Sequence, residues 1–229
     1  MNAKPRIITL LAIAAMFMVT SVAGVAADDF PGSKPDRRIL KTQEKVDELF
    51  DKGDYERAYF IYREELVPLG DKYAQYMVGY MNIVGKGVPR DYIAGSAWYR
   101  LAAERGHEKF SAARDEVWEL FNDEQRIQSD KEYAEIRLVY SDAMIIANYV
   151  EKDLELISRR LQRSALSNEL VNSQNQFDAD RAQLVEEANL RIQSRLTFLS
   201  DTIASGRPMA AAEIERIREV EKRAQSAIK

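Results

Sequence analysis

Apolar residues return every three or four positions along most of this chain, and the width of the apolar stripe changes from one part to the next. Ala74, Met77, Met81 and Val84 share one helical face, as do Ala94, Ala97, Trp98 and Leu101, which predicts two helices paired antiparallel. Further on, Ile136, Val139, Ala143, Ile146, Val150, Leu154, Ile157 and Leu161 form a narrower stripe of coiled-coil type. Val185, Ala188, Ile192, Leu196, Leu199 and Ile203 form another. Between these two stripes, residues Asn172 to Gln176 compete for backbone hydrogen bonds and favour a turn. A long antiparallel helical hairpin is therefore expected over residues 124–205, with arms on the order of 40 to 60 Å. Gly206 and Pro208 break it, and Ile214, Ile217, Val220, Ala224 and Ile228 mark a C-terminal amphipathic helix in 206–229. Neither glycine nor proline occurs between Gly106 and Gly206, which suits long helices and leaves no place for sheet turns. The fold class read from the pattern is all-α.

Self-similarity adds a second level of order. Asp54-Tyr55, Ala58 and Tyr62-Arg63 recur 37 residues later as Asp91-Tyr92, Gly95 and Tyr99-Arg100. Each copy starts a helix at an Asp able to accept from the free amides of the first turn. Each keeps a small residue four positions on, which lets a neighbouring helix come close, and each closes at a glycine, Gly70 or Gly106. Ala74, Val78-Gly79, Tyr80, Gly85, Gly87-Val88, Asp91, Trp98-Tyr99, Ala102-Ala103 and Gly106 have the spacing of a Sel1-like repeat, a relative of the tetratricopeptide repeat, and the second copy resembles that family over about one full repeat. The first copy is degenerate, with Glu64-Glu65 in place of the alanine pair and one residue more, at Pro68. Glu108 to Phe121, where Phe110 replaces the family's alanine, is expected to be a capping helix. The resemblance implies a short Sel1-like α-solenoid over residues 42–123, in which Ala74, Gly79, Tyr80, Gly85, Gly87, Asp91, Trp98, Tyr99, Ala102, Ala103 and Gly106 are architectural.

The first residues follow a different logic. Lys4 and Arg6 precede an apolar run from Ile7 to Val19, and small residues lead to Val25-Ala26-Ala27 before Asp28-Asp29. That order predicts a secretory signal peptide over residues 1–27, cut after Ala27, and a periplasmic protein. The alternative is an uncut anchor, the one route by which the chain would touch a membrane. Residues 28–41, with Pro31, Gly32 and Pro35, read as a flexible leader.

Composition then narrows the chemistry. The chain has 33 Lys and Arg against 37 Asp and Glu, a net charge of −4, and removing residues 1–27 takes away two bases and no acids, leaving −6. Nucleic acid is not the expected partner: the densest basic group, Arg159, Arg160 and Arg163, lies among acids on a helix. With no cysteine there is no thiol catalysis, no zinc-thiolate site, no disulfide and no lipid-acceptor residue at the cleavage site. The single histidine, His107, follows Gly106 and suits a surface or cap role. Paired acids such as Glu64-Glu65 and Glu186-Glu187 sit in charged helical stretches, and no phosphate loop or nucleophile motif is present. No catalytic, cofactor-binding or metal-binding residue is assigned, no cofactor is expected, and no small-molecule substrate is implied. Eight of the 11 tyrosines lie between Tyr55 and Tyr99. Tyr80 and Tyr99 match core positions of the resembled family, whereas Tyr73 and Tyr76 fall off the apolar stripe and are the candidate partner-binding residues. Packing against a flanking helix pair is the alternative for both.

The expected function is that of a non-enzymatic periplasmic adaptor or regulator binding another envelope protein through the repeat. The alternatives are a homodimeric spacer or tether built on the C-terminal hairpin and, with only unplaced carboxylates behind it, an enzyme acting on cell-wall glycan.

Overall fold

Asp71 and Asp91 set where the two central helices begin. In the computed structural model, which describes residues 30–32, 37–168 and 175–227, Asp71 accepts from the Ala74 amide at 3.0 Å, and Asp91 accepts from Ile93 and Ala94 at 2.9 and 3.0 Å. These caps start α3 (Lys72–Val84) and α4 (Tyr92–Ala102), the latter ending in a tighter turn over Ala103–Arg105. Before them run α1 (Arg37–Asp51) and α2 (Tyr55–Ile61), and after them α5 (Glu108–Leu120) and α6 (Asp123–Tyr140). The Asp54 side chain makes no cap bond, contrary to the pattern of its counterparts. Its ψ of 64° departs from the extended backbone found at Asp71 and Asp91, and the carboxylate pairs with Arg57 at 3.0 Å instead.

The extra residue of the first copy is absorbed inside its second helix. Tyr62–Leu66 form a wide turn in which the Val67 N–H donates to the Tyr62 carbonyl, five residues back, and Val67–Leu69 then tighten to end at Gly70. Tyr62, Leu66 and Val67 remain buried through this change of winding. They join Val46, Phe50, Ala58 and Ile61 against Met77, Val78, Met81, Ala97 and Leu101 in one core. Two helix pairs thus stack, and α5 and α6 close the stack: Ala113, Val117, Phe121 and Ile136 belong to the same core. The capping function expected of Glu108–Phe121 is carried out by a helix pair. Its second member starts at a reciprocal cap, with the Gln125 amide donating to the Asn122 side chain and the Asn122 amide to the Gln125 side chain.

The first arm of the predicted hairpin is interrupted. α6 ends at Tyr140, Ser141 is extended, and α7 (Asp142–Asn168) starts afresh; the chain divides into compact units at the same place, residues 1–142 and 143–229. No glycine or proline signals the break. What fixes it is Asp142, whose carboxylate is anchored inside the first unit. Because α6 and α7 are separate helices, Val139 does not continue the buried stripe and is about half exposed.

In the second unit α7 is followed by α8 (Asn175–Ala204) and α9 (Ala211–Ala227). The helices are about 40 and 45 Å long for α7 and α8, from their 27 and 30 residues at about 1.5 Å each. Val150, Leu154 and Ile157 of α7, Ala188, Ile192 and Leu199 of α8, and Ile217, Val220 and Ala224 of α9 are buried. Asp153 pairs with Arg191 and Arg195, and Glu151 with Arg216 and Arg223, so each partner helix is tied to α7 by charge as well as by apolar contact. Among the described residues no helix is long and apolar enough to cross a membrane. The proposed signal peptide, most of the predicted 172–176 turn, the Leu161 side chain and Ile228 lie outside what the structure describes.

Candidate functional site

The central helix pair is drawn together by two glycines facing each other. A Cβ on Gly79 would stand 2.6 Å from the Tyr99 ring and 3.1 Å from the Gly95 carbonyl oxygen, and one on Gly95 would stand 2.9 Å from the Gly79 carbonyl oxygen. No side chain larger than hydrogen fits at that approach. Around it Ala74 and Ala102 are fully enclosed, and Tyr80, Trp98, Tyr99 and Ala103 are nearly so. Gly85 and Gly87, both at a φ of +72°, turn the chain between the helices, and Gly106 ends the second one. Lys86, between the two turn glycines, lies 4.4 Å from the Tyr55 ring centre and 5.1 Å from that of Phe50, latching the loop onto the first helix pair.

Tyr73 and Tyr76 occupy the border of α3, partly enclosed and partly accessible. Tyr73 meets Tyr62 edge-on at 6.2 Å, while Tyr76 stacks on Tyr99 at 5.0 Å and on Phe110 at 5.2 Å. They therefore belong to two aromatic groups rather than one. Burial pushes both phenols up to about 12, with the charge of Asp47 adding to the effect at Tyr73, so both remain proton donors at physiological pH. Their orientation is fixed by their neighbours, which lowers the entropy lost on contact with a partner. His107 packs its ring 4.7 Å from Phe110, and its side chain makes no cap bond to the helix that follows.

Beneath this face lies a charged cluster. Lys72, only 4% exposed, places its ammonium 2.9 Å from Glu104, 3.0 Å from Asp142, and 3.1 Å from both the Gln75 side-chain oxygen and the Leu101 carbonyl. Arg105 donates to both Asp142 oxygens at 2.9 Å and to the Gly70 carbonyl at 2.9 Å, and its guanidinium lies 3.9 Å from the Phe30 ring centre. The Asp142 amide donates to Glu104 at 3.1 Å. Burial alone would raise the Asp142 carboxyl, but Lys72 and Arg105 outweigh it and hold the group below the ordinary carboxylate value. Its contribution to stability is therefore complete above the unfolded value of about 4 and is lost as pH falls through the depressed folded value. Asp47, raised by burial, has the opposite effect in a higher window, between its raised folded value and the unfolded value of about 4. Urea midpoints measured between pH 7 and pH 2 are expected to fall on acidification, with a shallower fall in Asp142→Asn. Equal slopes for the two proteins would show that Asp142 is not the group responsible.

Residues 72–107 match the Sel1 repeat family model. The matched segment begins at Lys72 and ends at His107, so it contains α3, the Gly85–Gly87 turn and α4 whole. No curated protein and no solved structure matches the chain. The match supports a place among Sel1-like repeats, which are helical solenoids, and a general role in binding protein. The matched segment carries Lys72, Glu104 and Arg105 toward Asp142, a residue well beyond it, and no single-helix pattern could have revealed that grouping. The only local hint is that Lys72 stands three positions before Gln75 and five before Met77 on an otherwise enclosed helix. Among the described residues no group of three His, Asp or Glu is placed to hold a metal ion.

Proposed function

We propose that this chain is an exported, non-enzymatic adaptor or regulator of the bacterial cell envelope that works in the periplasm by binding another envelope protein through its Sel1 repeat. The observation that carries this reading is the match of residues 72–107, together with the fact that those residues fold as a complete helix pair with Tyr73 and Tyr76 held at its accessible border. Rigid, partly exposed tyrosines supply contact area with few torsions to immobilise, which suits recognition of a protein surface. Export draws on the sequence before Asp28, and an N-terminal sequence of the mature protein starting at Asp28 is the expected result. The dimeric-spacer alternative has less support, because the stripe residues Val150, Leu154, Ile157, Ala188, Ile192 and Leu199 are already buried within a single chain.

Placing a photocrosslinking amino acid at position 73 or 76 in cells is expected to trap one envelope protein in preference to all others. The same group at Leu156, on the surface of the second unit, is expected not to trap it. A protein that crosslinks equally from all three positions, or from none, would remove the Tyr73 and Tyr76 face as the docking site.

A further inference from the structure

The two repeat copies place an arginine at equivalent positions, 37 residues apart, and both arginines do the same thing. Arg63, in the wide turn that follows α2, lies 4.7 Å from the Trp98 ring centre and 5.2 Å from that of Tyr140. Arg100, in α4, lies 4.9 Å from Trp118 and 4.1 Å from Tyr133. Two further arginines extend the row along α6: Arg126 is 5.6 Å from Trp118 and Arg137 is 5.7 Å from Tyr133. Arg126, Tyr133, Arg137 and Tyr140 follow one another at intervals of seven, four and three, so they share one stripe of that helix. The result is a row of guanidiniums alternating with aromatic rings, contributed by three successive helix pairs of one compact unit in a chain whose net charge is negative.

Stacking on a ring fixes the plane of a guanidinium and leaves its in-plane N–H donors for a carboxylate. Donors of this kind are available in the row. Arg63 is half-buried and makes no ion pair with any described residue; its Nη1 is enclosed, so a carboxylate would meet the remaining edge of the guanidinium. Arg126, with its side chain 38% exposed, donates to the Trp118 carbonyl at 3.4 Å and has the fully exposed Asp123 carboxylate 3.8 Å from its Nη1, a contact long enough for another carboxylate to replace. Arg100 shows what the row accepts: it holds the carboxylate of Asp130 at 2.7 Å, and that aspartate is mostly exposed. From Arg126 to Tyr140 the stripe runs for about 21 Å at about 1.5 Å per residue, the length of about six extended residues.

We propose that this arginine–aromatic row is a docking surface for a short acidic segment of a protein partner, with carboxylates entering beside Arg63, Arg100 and Arg126. The proposal rests on the adaptor reading above and assigns the partner its chemistry; the surface is separate in its residues from the Tyr73 and Tyr76 groups. Asp130 acts as the resident competitor at the Arg100 position.

The test uses the purified full chain and fluorescence anisotropy with two labelled synthetic peptides, one alternating Glu and Ser and the other alternating Gln and Ser. The Glu peptide is expected to bind at least about tenfold more tightly at low salt, and the double variant Arg63→Gln, Arg126→Gln to abolish that preference. Asp130→Asn is expected to tighten Glu-peptide binding about threefold by freeing Arg100, a gain that a misfolded variant would not produce. Equal binding of the two peptides, an unchanged double variant, weaker binding by Asp130→Asn, or tighter binding of a single-stranded oligonucleotide than of the Glu peptide would each overturn the proposal. An envelope crosslink from position 73 or 76 without a Glu preference removes this surface and leaves the adaptor standing. A Glu preference lost in the double variant, with no such crosslink, supports this surface and removes the Tyr73 and Tyr76 face as the docking site.

Discussion

Asp142→Ala is expected to lower the stability of the first unit by about 3–5 kcal/mol, the usual cost of removing one partner from a buried ion group. Lys72 would lose its contact at 3.0 Å and Arg105 both of its bonds to the carboxylate, leaving a buried ammonium and a partly buried guanidinium less well compensated. Glu104 would remain beside Lys72, but it is already engaged and cannot neutralise two cations. A second loss adds to the first. Asp142 is the opening residue of α7, where a negative charge favours the exposed amides of the first turn. With a urea dependence of about 1–3 kcal/mol per molar, the midpoint of the first unit should fall on the order of 1–5 M. Asp130→Ala, which removes an exposed partner from Arg100, should cost far less. A change at Asp142 no larger than that at Asp130 would mean that water reaches the cluster in the native state.

Gly87→Ala is expected to cost about 2–4 kcal/mol from two sources. At a φ of +72° any side chain is strained, and the added Cβ would stand 2.2 Å from the Tyr55 carbonyl oxygen, so the backbone of the first helix pair would have to retreat. Gly106→Ala separates these sources. Its φ is +74°, yet a Cβ there meets nothing within 4 Å, so only the strain of about 1 kcal/mol applies. Thermal melts of the two variants give the difference directly. Equal losses would show that the loop moves freely from Tyr55 and that Lys86 does not hold it there.

Much of the architecture is legible because it is local. Asp71 and Asp91 cap, Gly85 and Gly87 turn, and Gly79 and Gly95 sit on facing helices in register, each with its signal in a few neighbouring residues. The break at Ser141 is of another kind. Ile136, Val139 and Ala143 keep helical spacing across it, and the reason the helix stops is an attachment to Lys72 and Arg105, nearly 70 and nearly 40 residues earlier in the chain. Apolar periodicity does not record such an attachment. The arginine row is hidden for the same reason: Arg63, Arg100, Arg126 and Arg137 are scattered through a chain with more acids than bases, and only the stacking of helix pairs lines them up. Tyr73 and Tyr76 are an intermediate case. Their place off the stripe was readable, but the rings that hold them come from Tyr62, Tyr99 and Phe110 on three other helical segments.

The wide turn at Tyr62–Leu66 carries a lesson about counting. Asp54 to Gly70 spans one residue more than Asp91 to Gly106, and the surplus is wound into the helix rather than looped out. Both flanking landmarks survive, so the copy still stacks and still delivers Arg63 to Trp98. A tally of units taken from constant length would begin at Lys72 and omit a helix pair that supplies about a third of the shared core. In arrays of this design, the number of folded units is better judged from helix-opening aspartates and terminal glycines than from a fixed period.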